Sequence, residues 1–222
     1  LNVTSNGTGT ADVLTVNNTD AAADAFNGQN IGTTGYETVS LTTTGTGAAT
    51  AQTAGTITLN ATAGTTPTLT LNISGSNQIT TGVITANVVD ASGLTGTALF
   101  SNVGAATVGV TSLTGSANAD VLVGSATATT INGGAGGDTI TGGAAADTIN
   151  GGAGNDIIVT GAGNDIVNGD AGGDTITGNS GNQTLNGGDG NDTIISGTGN
   201  DVINGGAGND TIDMDSALTL QD

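Results

Sequence analysis

The chain has 222 residues, 19 of them Asp or Glu and none Lys, Arg, His, Cys or Trp, for a formal charge of −19. Without cationic side chains it has no means of gripping a nucleic acid backbone or an anionic membrane. Lacking His, Lys and Cys, it also has neither the base of a nucleophilic triad nor the ligands of zinc and redox-metal sites.

Two carboxylates can hydrolyse a glycoside, but only Phe26, Tyr36 and Phe100 are available as aromatic sugar platforms, so no enzyme activity is expected. No stretch is apolar enough for a membrane-spanning helix, so direct membrane insertion is not expected either, and no signal peptide is seen. A start at Leu1 and not Met suggests a piece of a longer protein. Five acids precede residue 114 and fourteen follow it. Divalent cations are the evident counter-ions.

Residues 1–112 read as a Thr/Gly/Asn-rich β-domain. The segment Gly7–Thr15 includes Asp12 and ends in Val13-Leu14-Thr15. Thr19–Gly28 is the one helix candidate: a capping residue in front, Ala in the middle, Gly behind, with Phe26 to bury. Alternation then predicts strands at Tyr36–Thr42, Thr56–Asn60, Thr68–Ile73 and Val83–Val89. Gly-rich turns such as Gly45-Thr46-Gly47 and Ala63-Gly64-Thr65 separate them, and Pro67 sits just before a strand, where its missing donor does little harm. The uneven spacing suits a β-helix or a sandwich.

From Gly115 to Asp213 the chain divides into eleven nine-residue blocks without insertion or deletion. Gly205-Gly206-Ala207-Gly208-Asn209-Asp210-Thr211-Ile212-Asp213 is the clearest. Positions one to six are Gly-rich and end in Asp, which suits a tight loop; positions seven to nine suit a three-residue strand whose middle side chain points inward. That middle residue is Leu122, Ile131, Ile140, Ile149, Ile158, Val167, Ile176, Leu185, Ile194, Ile203 and Ile212, aliphatic in every block. The ninth position carries Asn132, Asn150, Asn168, Asn186 and Asn204 in the even blocks only. One block merely reverses the chain, so this alternation predicts a flat coil of two blocks with an Asn ladder on one sheet.

The motif G-G-x-G-x-D-x-U-x resembles the RTX, or hemolysin-type calcium-binding, repeat family, which implies a parallel β-roll with calcium between neighbouring loops. The fold expected is thus all-β: a β-roll or β-helix of nonapeptide repeats over 113–222, preceded by the β-helix-like domain. Odd loops end in Asp120, Asp138, Asp156, Asp174, Asp192 and Asp210; even loops end in Thr129, Asp147, Asp165, Gln183 and Asp201. An ion between loops would take a carboxylate from each plus backbone carbonyls, within the six to eight hard oxygens calcium accepts. All nine of these Asp are candidate ligands: the odd edge can hold a full row, whereas the even edge has one complete pair, Asp147 with Asp165. As a worn copy of the Gly115–Val123 block, Gly7–Thr15 makes Asp12 either a further ligand or a solvated turn residue. Carboxylates about 5 Å apart repel by roughly 3 kcal/mol at an effective dielectric near 20. With so thin a core, calcium is expected to be a folding partner and the metal-free chain to be disordered.

Asp90–Gly96 and Tyr36–Val39 resemble segments of Gram-negative surface-layer proteins, which are likewise acidic, Thr/Ala/Gly/Asn-rich, Cys-free and end in RTX repeats. The resemblance implies a secreted, lattice-forming structural protein at the cell surface, its self-assembly driven by calcium. The alternative is a folding and secretion module of an enzyme or toxin exported by a type I pathway. An ice-binding Thr face has too few regular Thr-x-Thr ranks to be favoured.

Overall fold

The structure, a computed structural model, describes residues 2–5, 13–18, 31–34, 38–43, 52–54, 57–60, 68–76, 78–82, 84–96, 100–102 and 109–214. These form a parallel β-solenoid, the all-β class expected, with no helix among the described residues. An eleven-stranded sheet runs from Asn2–Ser5 to Val202–Ala207, a nine-stranded sheet lies on another side, and a three-stranded sheet accompanies only the early coils. Every pairing among the described strands is parallel except that of Asn2–Ser5 with Val13–Asn18.

The early coils are long and uneven. On the eleven-stranded sheet Val13 lies opposite Thr38, Thr38 opposite Thr70, Thr70 opposite Val88 and Val88 opposite Ser112, so successive coils span 25, 32, 18 and 24 residues. A third side is built by Ile31–Thr34, Ile57–Asn60 and Ile84–Thr85, the last of these within a coil of 18 residues, so coil length alone does not set the number of sides. From Ser112 onward the step is a constant 18 residues: Ser112, Thr130, Thr148, Ile166, Thr184 and Val202 stand in one row. A nonapeptide provides one strand and one loop, so each such coil has two sides.

The core changes with the coil. Strands Thr38–Thr43 and Thr70–Gly75 each bury two large side chains, Val39 with Leu41 and Leu71 with Ile73. In the regular coils one aliphatic per strand remains, and Leu122, Ile131, Ile140, Ile149, Ile158, Val167, Ile176, Leu185 and Ile194 are all buried. Ile203 is only partly buried and Ile212 is 44 % exposed, because no described coil covers the last one.

Several boundaries differ from the sequence reading. The strand expected at 83–89 is two, Ile84–Thr85 and Val88–Leu94, on different sheets. Asn87 makes the corner: its Oδ1 accepts from Leu69 N–H at 2.9 Å and its carbonyl accepts from Thr111 N–H at 2.8 Å. The second strand runs on through a register shift between Asp90 and Gly93, where Asp90 Oδ1 accepts from Ser92 N–H. On the eleven-stranded sheet the repeat strands are longer than three residues, as in Thr130–Ala135, so pairing continues into the first three positions of the next loop. The helix candidate 19–28, Asp12 and Pro67 lie outside the described residues.

Candidate metal centre

The loops of the regular coils turn on glycines at positions two and four; Gly152 and Gly154, for example, have φ of 111° and 134°. Among the described residues Asp170, with φ 73°, is the one non-glycine at positive φ, and it occupies position two. Position one of the loops that end in Asp138, Asp156, Asp174 and Asp192 is glycine for a different reason, while Thr160 and Ser196 hold that position in their loops on the other edge. A Cβ on Gly133 would collide with both Asp138 Oδ2 and the carbonyl oxygen of Gly151, and Gly169 and Gly187 are confined in the same way by Asp174 with Gly187 and by Asp192 with Gly205. The missing side chain leaves an inward space that the loop's own carboxylate enters.

Those carboxylates are buried: Asp120, Asp138, Asp147, Asp156, Asp165, Asp174 and Asp192 are each at most 2 % exposed. One oxygen of each laces the coil to the one before. Asp120 N–H donates to Asp138 Oδ1 at 2.7 Å, Asp138 N–H to Asp156 at 2.7 Å, Asp156 N–H to Asp174 at 2.8 Å, Asp174 N–H to Asp192 at 2.8 Å and Asp192 N–H to Asp210 at 3.1 Å. On the other edge Thr129 N–H donates to Asp147, Asp147 N–H to Asp165, and Gln183 N–H to Asp201, each at 2.8 Å.

The second oxygen has no such partner. Oδ2 of Asp138, Asp147, Asp156, Asp165, Asp174 and Asp192 is buried without a hydrogen bond. An uncompensated buried charge costs several kcal/mol, and this chain has no Lys, Arg or His to supply compensation. Protons are one remedy. Burial, reinforced by the Asp120 and Asp156 charges and opposed by the Asp120 N–H, pushes the Asp138 carboxyl up to about 7. Burial likewise raises Asp147 to about 6, with Asp165 adding to the effect, and Asp174 to about 6, with Asp156, Asp192 and Asp170 adding to it. Asp156 is raised too, by burial first and then by Asp170.

A hard cation is the other remedy, and the donor set fits one. Every donor here is a carboxylate or carbonyl oxygen, which suits calcium or magnesium and not zinc or copper. Among the described residues no three acidic side chains gather at one point. A bound ion would therefore draw much of its shell from backbone carbonyls, the irregular and flexible coordination that calcium tolerates better than magnesium.

The nine candidate ligands do not stand alike. Asp138, Asp147, Asp156, Asp165, Asp174 and Asp192 present the free oxygen. Asp120 does not: its carboxylate accepts from Phe100 N–H, Ser116 N–H and Ser116 Oγ, which ties the roll to the strand Phe100–Asn102. Asp201 and Asp210 are half-buried in the final coils. The sequence reading also missed position five. There Oδ1 of Asn155, Asn164, Asn182 and Asn191 accepts from the N–H one coil onward at 2.8 to 2.9 Å, lacing in the opposite sense to the aspartates. The recurring Asn-Asp dipeptide was its signal. The expected position-nine ladder is present, with Asn150 Nδ2 donating to Asn132 Oδ1 at 2.8 Å and Asn168 to Asn150 at 2.9 Å.

Residues 114–149, 123–158, 141–176 and 177–212 each match the RTX calcium-binding nonapeptide repeat. The matched residues make up a little under half of the chain. No curated protein matches it. The chain thus carries four copies of a calcium-binding repeat of the kind typical of type I-secreted proteins, folded as a parallel β-roll.

Proposed function

We propose that this chain is a calcium-ordered structural segment of a secreted bacterial surface-layer protein, not an enzyme, and that it assembles into a lattice at the cell surface. The observation that carries the calcium part is the set of six buried carboxylate oxygens without a partner in a chain devoid of cationic side chains. The residues share the work. Oδ1 of each aspartate holds the backbone of the preceding coil. Position-one glycine leaves space beside Oδ2 in every one of these loops but that of Asp165, which has Thr160 there, and the aliphatic at position eight seals the interior. Calcium, when bound, would neutralise Oδ2 and join consecutive loops along an edge.

The assembly part is supported by the run of one sheet from the Thr-rich coils into the roll. Half-exposed Asn ranks and the outward Thr130, Thr148 and Thr184 line one face, with Ile166 and Val202 exposed in the same row. Titrating metal-stripped protein with calcium, following circular dichroism and then imaging by electron microscopy, tests both parts. A cooperative gain of β-signal followed by sheets or higher oligomers is expected. Folding into discrete monomers would instead favour the second reading, a folding and secretion module of a type I-exported enzyme or toxin. The repeat match supports that reading equally.

A further inference from the structure

Gln183 occupies position six of its loop, where the other regular loops except that of Thr129 carry aspartate. It is 1 % exposed, and its Oε1 accepts from Asp165 N–H at 2.9 Å, as the aspartate Oδ1 does elsewhere. Its second polar atom is different in kind. Nε2 donates to the carbonyls of Gly163 at 3.0 Å and Ser180 at 3.2 Å, one from the preceding coil and one from its own loop. In the aspartate loops this place is held by the unpartnered Oδ2, an acceptor with no donor to meet it. The side-chain NH₂ thus puts partial positive charge where the other loops have none.

We propose that the Gln183 amide stands in for a bound cation, making the 178–183 loop a metal-free latch that interrupts the row of calcium sites on its edge. Thr129 does the same at the start of that edge. Ser125, Thr127 and Thr129 form a hydroxyl cluster in which Thr129 Oγ1 lies 3.0 Å from the Val110 carbonyl and 2.9 Å from that of Thr127, either of which can accept its proton. Between the two latches only Asp147 and Asp165 keep free oxygens. The edges therefore divide the work. The edge of Asp138, Asp156, Asp174 and Asp192 answers to calcium throughout, while its opposite is pinned at intervals by the chain's own hydrogen-bond donors. The inference rests on the calcium reading and is tested so that the two can fail separately.

The test compares bound calcium per chain, by equilibrium dialysis and titration calorimetry, in the wild type and in Gln183→Asp. Gln183→Glu keeps the shape of Gln183 and serves should Gln183→Asp fail to fold. Restoring a carboxylate completes pairs with Asp165 and Asp201, so it should add about one to two ions per chain and raise the calcium concentration needed for half-maximal circular dichroism severalfold, since the loop then depends on metal. A wild type that binds calcium while neither variant adds an ion or shifts the midpoint overturns the inference alone. A wild type that binds no calcium overturns the calcium reading, and the inference with it.

Discussion

The coils before and after Ser112 solve the same problem with different material. In Thr38–Thr43 and Thr70–Gly75 two inward side chains per strand, Val39 with Leu41 and Leu71 with Ile73, form an aliphatic core. In the roll the first of those rows continues as Leu113, Ile131 and Ile149, but two residues further along stand Gly115, Gly133 and Gly151. A column of glycine has replaced a column of aliphatics, and the volume released is occupied by carboxylates. Burying an aliphatic side chain contributes roughly 1.5–3 kcal/mol; burying a carboxylate without a partner opposes folding. The first region is stabilised by its interior, the second only once its charges are answered.

Chelation separates them most sharply. With calcium withdrawn, amide exchange at Ile140, Ile158 and Ile176 should rise by orders of magnitude while Val39, Leu71 and Val89 stay protected; equal loss in both regions would break the contrast. Next in size is Gly151→Ala, whose Cβ would press on Asp156 Oδ2 and lie 2.8 Å from the Gly169 carbonyl. It should cost at least about 1–3 kcal/mol and lower calcium affinity in dialysis. Gly96→Ala meets open space and suffers only the strain of its φ of 72°, so its effect should be small.

Within the roll, Asp156→Ala or Asp174→Ala should reduce calcium cooperativity strongly, because each carboxylate faces a neighbour on both sides. Asp201→Ala, next to the Gln183 latch and half-buried, should do less. Equal shifts in calcium-titrated circular dichroism would remove the asymmetry between edges.

The response to pH follows, and its sign reverses with metal. Without calcium, Asp138 at about 7 and Asp147 and Asp174 at about 6 hold protons in the folded state that the unfolded chain, near 3.8, has released. The folded state binds more protons across that window, so metal-free stability is greatest at its acidic end and declines as pH rises through 6 to 7. The β-signal in chelator should therefore grow on acidification from about pH 8 to about pH 5. With calcium present, protons compete for the same oxygens, and the midpoint should move to higher calcium as pH falls. The smallest effect belongs to Asn150→Ala, which removes two half-exposed ladder bonds worth about 1 kcal/mol each at most, measured as a shift in the calcium-loaded melting temperature.

Much of this was legible without coordinates. The invariant aliphatic at position eight and the alternation of Asn at position nine imply a coil of two blocks, because inward burial and strand stacking each leave a periodic mark. Thr129 and Gln183 stood out as breaks in the aspartate column, though as weakened sites and not as filled ones. Position five went unread, since Asn beside Asp looks like ordinary turn chemistry. The strand boundary at Ala86-Asn87 does leave a mark, since the inward positions Ile84 and Ala86 give way to Val89 and Ala91, but a one-residue change of phase inside a Val-rich stretch reads as a single strand.

By itself, the sequence determined the two-sided roll, its core row and its carboxylate rows, since a nine-residue period repeats the same local instruction in every coil. Only the tertiary structure decided that the early coils have a third side, which carboxylate oxygens are answered, and that an amide does the work of an ion at Gln183. Those outcomes depend on what the adjacent coil brings alongside, 18 or more residues away, and no local pattern in the chain records that.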